Sequence, residues 1–430
     1  MGSNHKRVLL ISVHGDPLAS PGSIESGGQN IYVRELMRHL HKLGWAVDVM
    51  SRLNKKKKRT FVKVHKDVNV IRMPAGPAKF ISKDSVYEHL PEFLSNTLSY
   101  ILNEKKHYSI IHSNYWLSGW VGMELKKILN IPLTHTYHSL GYIRYQTLKR
   151  FGECGDDQSE VFKKRIQIEK EILSVADKVI ATSTFEKMDL IKYYEAQSHK
   201  LRIIPVGVDE KKFQPQEKSA ARNKLGIPQE AKVLLYVGRL EWRKGLDTLI
   251  EALTHVLLKR PLLKDTLRLF VVGGPRKRPL YYDNGYKSVK QAVASWHLEK
   301  NVSFQGGVSQ RFLATYYAAS DMVIVPSYYE PFGIIPLEAM SMGIPTIASK
   351  TGGLQYTIRH KKTGILTPPH RPTFLANRII ELLEDTHLYA RLQTHSRLRI
   401  KQYFTWNKVA KAMSRFYSAI IKNATITSHT

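Results

Sequence analysis

The stretch Glu330–Ser349, EPFGIIPLEAMSMGIPTIAS, decides how this chain folds. The apolar run Met322–Val325 (MVIV) precedes it. A Pro/Phe/Gly loop follows, a helix is predicted from Pro336 to Met342, and Thr346–Ala348 is short and extended. Strand, loop, helix and strand in that order is the repeating unit of a parallel sheet. Its strands are covered on both faces and therefore read as unbroken apolar runs. Glu330 falls on the loop after a strand, and Glu338 falls inside the helix that the loop leads into. Doubly wound sheets bind their ligands at the carboxyl ends of the strands, so these loops carry the chemistry.

Outward from this stretch the same unit recurs. In the second half of the chain, Val233–Val237, Leu267–Val272 and Val302–Phe304 are predicted strands, and Gly245–Leu258 and Thr373–Glu384 predicted helices. The first half shows an independent series. Val8–Val13, Ala46–Ser51, Ser109–His112, Leu133–Thr136, Asp177–Ala181 and Arg202–Val206 read as strands. Asn30–Leu43 is a helix stopped by Gly44, and Tyr115–Leu129 is loop and helix. Pro205–Pro215, rich in Pro, Gly and charge, is the linker candidate. Two separate β/α series imply an α/β chain of two doubly wound, Rossmann-like domains. The expected division is 1–207, 208–404, and a tail, 405–430, whose amphipathic helix packs back on the N-terminal domain.

Composition narrows the class. With 43% hydrophobic residues, 14 Phe, 22 Tyr and 6 Trp in 430 residues, the chain can form packed cores, which excludes general disorder. No run approaches the roughly 18 apolar residues of a spanning helix. Met1–Arg7 is polar and Val8–Val13 is too short for a signal peptide, so a cytoplasmic location is expected. The single cysteine, Cys154, excludes an internal disulfide and a multi-cysteine metal cage. The formal net charge of +30 suits phosphorylated substrates, peripheral contact with an anionic membrane, or simply a solvated Lys-rich surface. No zinc-finger, basic-zipper or RNA-recognition spacing is present, so no nucleic acid is expected. The densest cluster, Lys55–Arg59 (KKKKR), reads as solvated charge on a hairpin or loop tip.

Five strand-end features carry chemistry. Glu330 and Glu338 each accept two hydroxyl hydrogen bonds, which suits two sugars, a hexose and a ribose. The backbone N–H groups of Phe332, Gly333 and Ile334 are placed to hold a diphosphate at the helix start. Gly27-Gly28-Gln29 opens the first helix and lets backbone approach a phosphate, though it is no GxGxxG dinucleotide fingerprint. In Gly238–Gly245 (GRLEWRKG), Arg239 and Lys244 suit a diphosphate. In Thr134–Gly141 (THTYHSLG), His135 and His138 lie where a catalytic or a structural histidine is equally at home. Lys83, Tyr115, Arg144, Lys149 and Arg165 are scattered through the first half and are uninformative one by one. There is no ligand cluster for a metal, and no Asp-x-Asp pair to chelate a metal diphosphate.

Together these segments resemble the retaining glycosyltransferases of family 4, which have the GT-B fold, over nearly the whole chain. Glu330 and Glu338 with Thr351-Gly352-Gly353 are the most specific match. Gly27–Glu35 (GGQNIYVRE), Ser113–Gly119 (SNYWLSG) and His135–Gly141 (HTYHSLG) look like the sucrose-phosphate synthase branch in its short bacterial form. The mycothiol glycosyltransferase branch, which uses inositol phosphate, is the nearest competitor. The resemblance implies two domains facing a cleft and closing on a nucleotide diphosphate sugar, UDP-glucose or ADP-glucose. It implies Arg239, Lys244 and Gly28 on the diphosphate, Glu338 on the ribose, Glu330 on the hexose and His138 at the reacting centre. Lys83 and Arg165 would take the phosphate of the acceptor, with Tyr115 and Gln29 beside it. The implied activity is transfer with retention to fructose 6-phosphate, giving sucrose 6-phosphate, with no metal or other cofactor. Inositol phosphate, free fructose and a lipid headgroup are the alternative acceptors. Tyr142-Ile143-Arg144-Tyr145 departs from the branch pattern.

Overall fold

The structure is a computed structural model that describes residues 6–19, 27–151, 156–274 and 284–427. Cys154 and residues 1–5 of the polar N-terminus lie outside the described residues. The chain forms two compact units. Residues up to Val206 make the first together with the closing helix Trp406–Thr427, and Gly207–Thr405 makes the second.

In the first unit the strands are β1 (Arg7–Ile11), β2 (Ala46–Arg52), β3 (Phe61–His65), β4 (Val68–Met73), β5 (Ile110–Asn114), β6 (Leu133–Thr136), β7 (Lys178–Ala181) and β8 (Leu201–Ile203). They lie in the order β3-β4-β2-β1-β5-β6-β7-β8. Val8–Ile11 is completely buried, as the apolar run requires. The sheet is not wholly parallel as expected: β3 runs antiparallel to β4 at one edge. The connection between them is only Lys66-Asp67, with Asp67 left-handed at φ 59°. A tight connection of this kind can join only antiparallel neighbours.

The Lys55–Arg59 loop connects β2 to β3, and β4 lies between those two strands, so it is no hairpin. Nor is its charge all solvated, because Lys58 Nζ lies 2.7 Å from the buried Asp16 carboxylate.

The second unit holds β9 (Lys232–Val237), β10 (Leu267–Val272), β11 (Val302–Gly306), β12 (Met322–Val325), β13 (Thr346–Ser349) and β14 (Ile365–Thr367). Their order is β11-β10-β9-β12-β13-β14, and every pairing is parallel. Leu234, Leu269, Ile324 and Ile347 fill the space under the flanking helices, each fully buried apolar side chain contributing roughly 1.5–3 kcal/mol. The helix expected from Pro336 begins at Ile334. Proline is tolerated in the first turn because the N–H it lacks would have no partner there.

Each sheet reverses its winding at one point, β1/β5 in the first unit and β9/β12 in the second. At such a point the adjacent loops diverge and leave room for a ligand. The closing helix packs on the first unit through the stripe Val409, Met413, Tyr417 and Ile420. Trp45 Nε1 donates to Ser414 Oγ (2.8 Å), and the Tyr417 hydroxyl meets His112 Nδ1 at 2.5 Å.

Candidate active site

In the second unit the loops after β9 and β12 meet at the switch point. Gly245 ends the first loop at φ 67°, and a Cβ there would strike the Pro326 carbonyl, so only glycine fits. Tyr328 N–H donates to the Arg243 carbonyl (2.8 Å) and ties the two loops together. Their side chains also join: Lys244 Nζ sits 2.5 Å from Glu330 Oε2. Burial alone would raise the Glu330 carboxyl, but the Lys244 ammonium outweighs it and holds the group below the usual carboxylate range. The Glu330 carbonyl accepts from Gly353 N–H (2.9 Å), and a Cβ on Gly352 would meet that same carbonyl. The Thr351-Gly352-Gly353 turn therefore backs the Glu330 loop.

Arg239 is half exposed and pairs with Glu241 at 2.8 Å, and Arg243 reaches the same carboxylate at 2.6 Å. Glu338 accepts from the Tyr317 hydroxyl (2.7 Å), and burial pushes its carboxyl up to about 7. Gly333 caps the helix at φ 80°, so the N–H groups of Ile334 and Ile335 fall in the first turn, where a helix has no internal acceptors for them. Glu330, Lys244, Arg239 and the Phe332–Ile334 turn thus come from adjoining loops at one sheet edge. Glu241 and Tyr317, which hold Arg239 and Glu338, carried no signal in the sequence.

In the first unit the switch point is polar although buried. His112, Ser113, Asn114, Thr134, His135 and Thr136 are all sealed from solvent. Buried polar groups need partners. His135 Nδ1 bonds Ser113 Oγ (2.8 Å) inside the sheet, the structural option for this histidine. His138 lies beyond the strand end at φ 61°, its Nε2 2.8 Å from Asn114 Oδ1 and its ring edge-on to Tyr32 at 4.8 Å. Burial first, then the neighbouring cationic and imidazole groups, hold His138 and His14 well below the usual histidine range, so both rings are neutral.

Tyr115 is the hub. Its backbone is held at φ 76° and ψ 155°, an uncommon and costly conformation for a bulky residue. Lys83 Nζ lies 5.0 Å from its ring centre, the Arg165 guanidinium 4.9 Å, and the His14 ring 4.5 Å. Burial would raise the phenol, yet Arg165, Lys83 and Arg144 together bring it below the usual tyrosine range. Strained residues of this kind cluster at binding sites; here they are Tyr115 and His138.

Arg165 is buried at 4% exposure. Its Nε donates to Glu169 (2.8 Å), and its other nitrogens reach the Tyr115 hydroxyl (3.2 Å) and the Ser139 carbonyl. Lys83, in contrast, is exposed. Gln29 Nε2 donates to Ser12 Oγ (3.0 Å) and to the Asn114 carbonyl (3.1 Å). Gly28 begins the first helix, with Gly27 capping it. Lys149 is exposed on the helix Gly141–Arg150, whereas Arg144 of the same helix joins the charges around Tyr115. His14 and Asn114 were not singled out from the sequence. Only their places just after β1 and at the end of β5 mark them.

Among the described residues no three His, Cys, Asp or Glu side chains gather to hold a metal. No described helix is long and apolar enough to cross a membrane.

The model of glycosyl transferases group 1 matches residues 217–399, and that of glycosyltransferase family 4 matches 26–212. A D-inositol 3-phosphate glycosyltransferase of Thermobispora bispora is 32% identical, over 97% of this chain and 95% of its own. A protein of the same name from Corynebacterium glutamicum is 33% identical, over 99% of each chain. Among solved structures, the sucrose-phosphate synthase of Thermosynechococcus elongatus is similar at a TM-score of 0.86 and 36% identity, covering 97% of this chain and 100% of its own.

Proposed function

Because the chain belongs to glycosyltransferase family 4, we propose that it moves a hexose, glucose first, from a nucleotide diphosphate sugar to a phosphorylated sugar acceptor. Fructose 6-phosphate, giving sucrose 6-phosphate, is the leading acceptor. The observation that carries this reading is the set of cations Lys83, Arg144 and Arg165 gathered on Tyr115, close to His138, at the switch point of the first sheet. A phosphate is the group such a set recognises, Arg as a fork and Lys as a point charge. Of the three, Lys83 and Arg144 contact the phosphate, and Arg165, tied to Glu169 and Ser139, orients the Tyr115 hydroxyl beside it.

The donor lies on the second unit. Arg239, Lys244 and the backbone N–H groups from Phe332 to Ile334 hold the diphosphate. Glu338 takes the ribose hydroxyls and Glu330 the hexose. Transfer proceeds on one face. The acceptor hydroxyl oxygen bonds to the anomeric carbon as the bond to the β-phosphate oxygen breaks, and that oxygen takes the acceptor proton. Arg239 and Lys244 stabilise the charge developing on the leaving diphosphate, worth roughly 10²–10³ in rate per donor. These cations do the work of a divalent metal, so activity is expected to survive EDTA. On the first unit His138, neutral and beside the Tyr115 cluster, is a donor or acceptor for the sugar acceptor.

A second acceptor, inositol phosphate, is favoured by the names of the relatives at 32–33% identity. Nucleotide release is measured with UDP-glucose or ADP-glucose and, in turn, fructose 6-phosphate, inositol 3-phosphate and free fructose. Release with fructose 6-phosphate alone supports the first acceptor, and release with inositol 3-phosphate alone moves the reading to the second. No release above the acceptor-free control with either phosphate removes the phosphorylated-acceptor reading.

A further inference from the structure

The lysine run Lys55–Arg59 has no part in the chemistry above. It is nevertheless fastened to the edge of the sheet where that chemistry is placed. In a parallel sheet every strand points the same way, so the loops after β1, β2, β4, β5 and β6 emerge on one edge. That edge carries His14, the lysine run, Lys83, Tyr115 and His138. In strand order β2 is the direct neighbour of β1, so the lysine loop stands next to the loop that holds His14.

The attachment is specific. Asp16, 2% exposed and two positions beyond His14, accepts from Lys58 Nζ at 2.7 Å and from Arg72 Nε at 2.8 Å. Arg72 also donates to the Arg59 carbonyl (2.6 Å), which closes the far end of the run. The Asp16 carbonyl accepts from Asn30 Nδ2 (2.8 Å), whose Oδ1 accepts from Gly27 N–H (3.0 Å), so the same residue braces the glycine turn. Alongside, Arg52 donates to the Ala75 and Pro77 carbonyls (3.0 and 2.9 Å) and secures the segment leading to Lys83. Lys58 and Arg72 face inward on one carboxylate, and Lys55, Lys56 and Lys57 remain exposed.

We propose that Lys55, Lys56 and Lys57 form an electrostatic guide, docked by the Lys58–Asp16–Arg72 cluster, that raises capture of the phosphorylated acceptor. The proposal rests on the phosphorylated-acceptor reading. A guide of exposed cations acts on encounter and not on the bound complex. It therefore changes kcat/KM, leaves kcat alone, and fades as salt shortens the reach of the charges, about 10 Å at 0.1 M.

The test compares wild type with Lys55→Gln/Lys56→Gln/Lys57→Gln, using UDP-glucose and the phosphorylated acceptor that turns over, from about 0.02 to 0.3 M salt. At low salt the triple variant is expected to lose roughly 5–10-fold in kcat/KM for the phosphorylated acceptor, at unchanged kcat and with a flatter salt dependence. Lys55→Arg/Lys56→Arg/Lys57→Arg keeps the wild-type value, and turnover of free fructose, where measurable, is equal in all three proteins. An active wild type matched by the glutamine variant in kcat/KM and in salt slope overturns the guide but leaves the acceptor reading standing. A wild type inactive with fructose 6-phosphate and inositol 3-phosphate alike overturns both.

Discussion

Lys244 and Glu330 hold each other at 2.5 Å, each with less than a fifth of its side chain exposed. Glu330→Gln keeps an acceptor for the ammonium but loses the charge that orients the hexose. It is expected to cut turnover roughly 10²–10³-fold with little change in melting temperature. Lys244→Met leaves the Glu330 carboxylate enclosed without its cation and should cost about 2–3 kcal/mol of stability, read from urea unfolding. Glu338 predicts a pH dependence. Its carboxyl is pushed from the ordinary 4.5 to about 7, so between those values the folded chain keeps a proton that the unfolded chain has released. Its contribution to stability is therefore full below 4.5, falls as pH rises to 7 and is level above that. Ribose binding needs the ionised form, so nucleotide-sugar affinity should rise through pH 7, and Glu338→Gln should flatten that rise. The strand-end places of Lys244, Glu330 and His138 are legible in sequence, because apolar runs locate the strands. The partners Tyr317, Asn114 and His14 are not, because each comes from another element of the chain, and Glu241, two residues from Arg239, reads in sequence only as one more loop charge.

The loops between elements are shaped as closely as the strands. Gly245→Ala adds a Cβ against the Pro326 carbonyl at a left-handed φ. It should cost about 1–3 kcal/mol and weaken nucleotide binding, seen by calorimetry. In the closing helix, Tyr417→Phe removes the hydroxyl partner of His112 Nδ1 and should lower stability by about 1–3 kcal/mol in thermal unfolding. Periodicity located most of the strands, including Leu133–Thr136, Leu267–Val272 and Met322–Val325 to the residue, but it left the strand Val68–Met73 and the helices Leu90–Asn103, Asp156–Val175 and Thr386–Arg399 unread. It failed at Pro336, where a proline inside the first turn hid two helical residues, and it did not show that β3 turns back along β4 or that Lys58 of the lysine loop is tied to Asp16. Only the first of these is a matter of propensity. The partner of β3 is β4 and the partner of Lys58 is Asp16, and pairing across the fold leaves no local mark.

At the scale of the whole molecule, each unit has its own sheet and core, so a nucleotide should act on one of them. UDP at about 100 times its Kd should raise stability by roughly 2.7 kcal/mol. Hydrogen exchange should slow at 238–245 and 330–338, while Tyr115 and its neighbours change little until an acceptor is added. The +30 charge, read first as a hint of several partners, divides on inspection. Some cations are buried counter-ions, as Arg72 and Arg165 are, some surround Tyr115, and the exposed remainder lies on the surface. The α/β class, the two alternating series and the family follow from sequence alone, because they depend on periodicity and short motifs that act over a few residues. Which cations are neutralised, which histidine serves the sheet and which stands at its edge, and where the lysine run is fastened were decided only by tertiary structure. Charge and burial act through space, over a few ångströms between residues as far apart in the chain as Asp16 and Arg72 or Lys244 and Glu330.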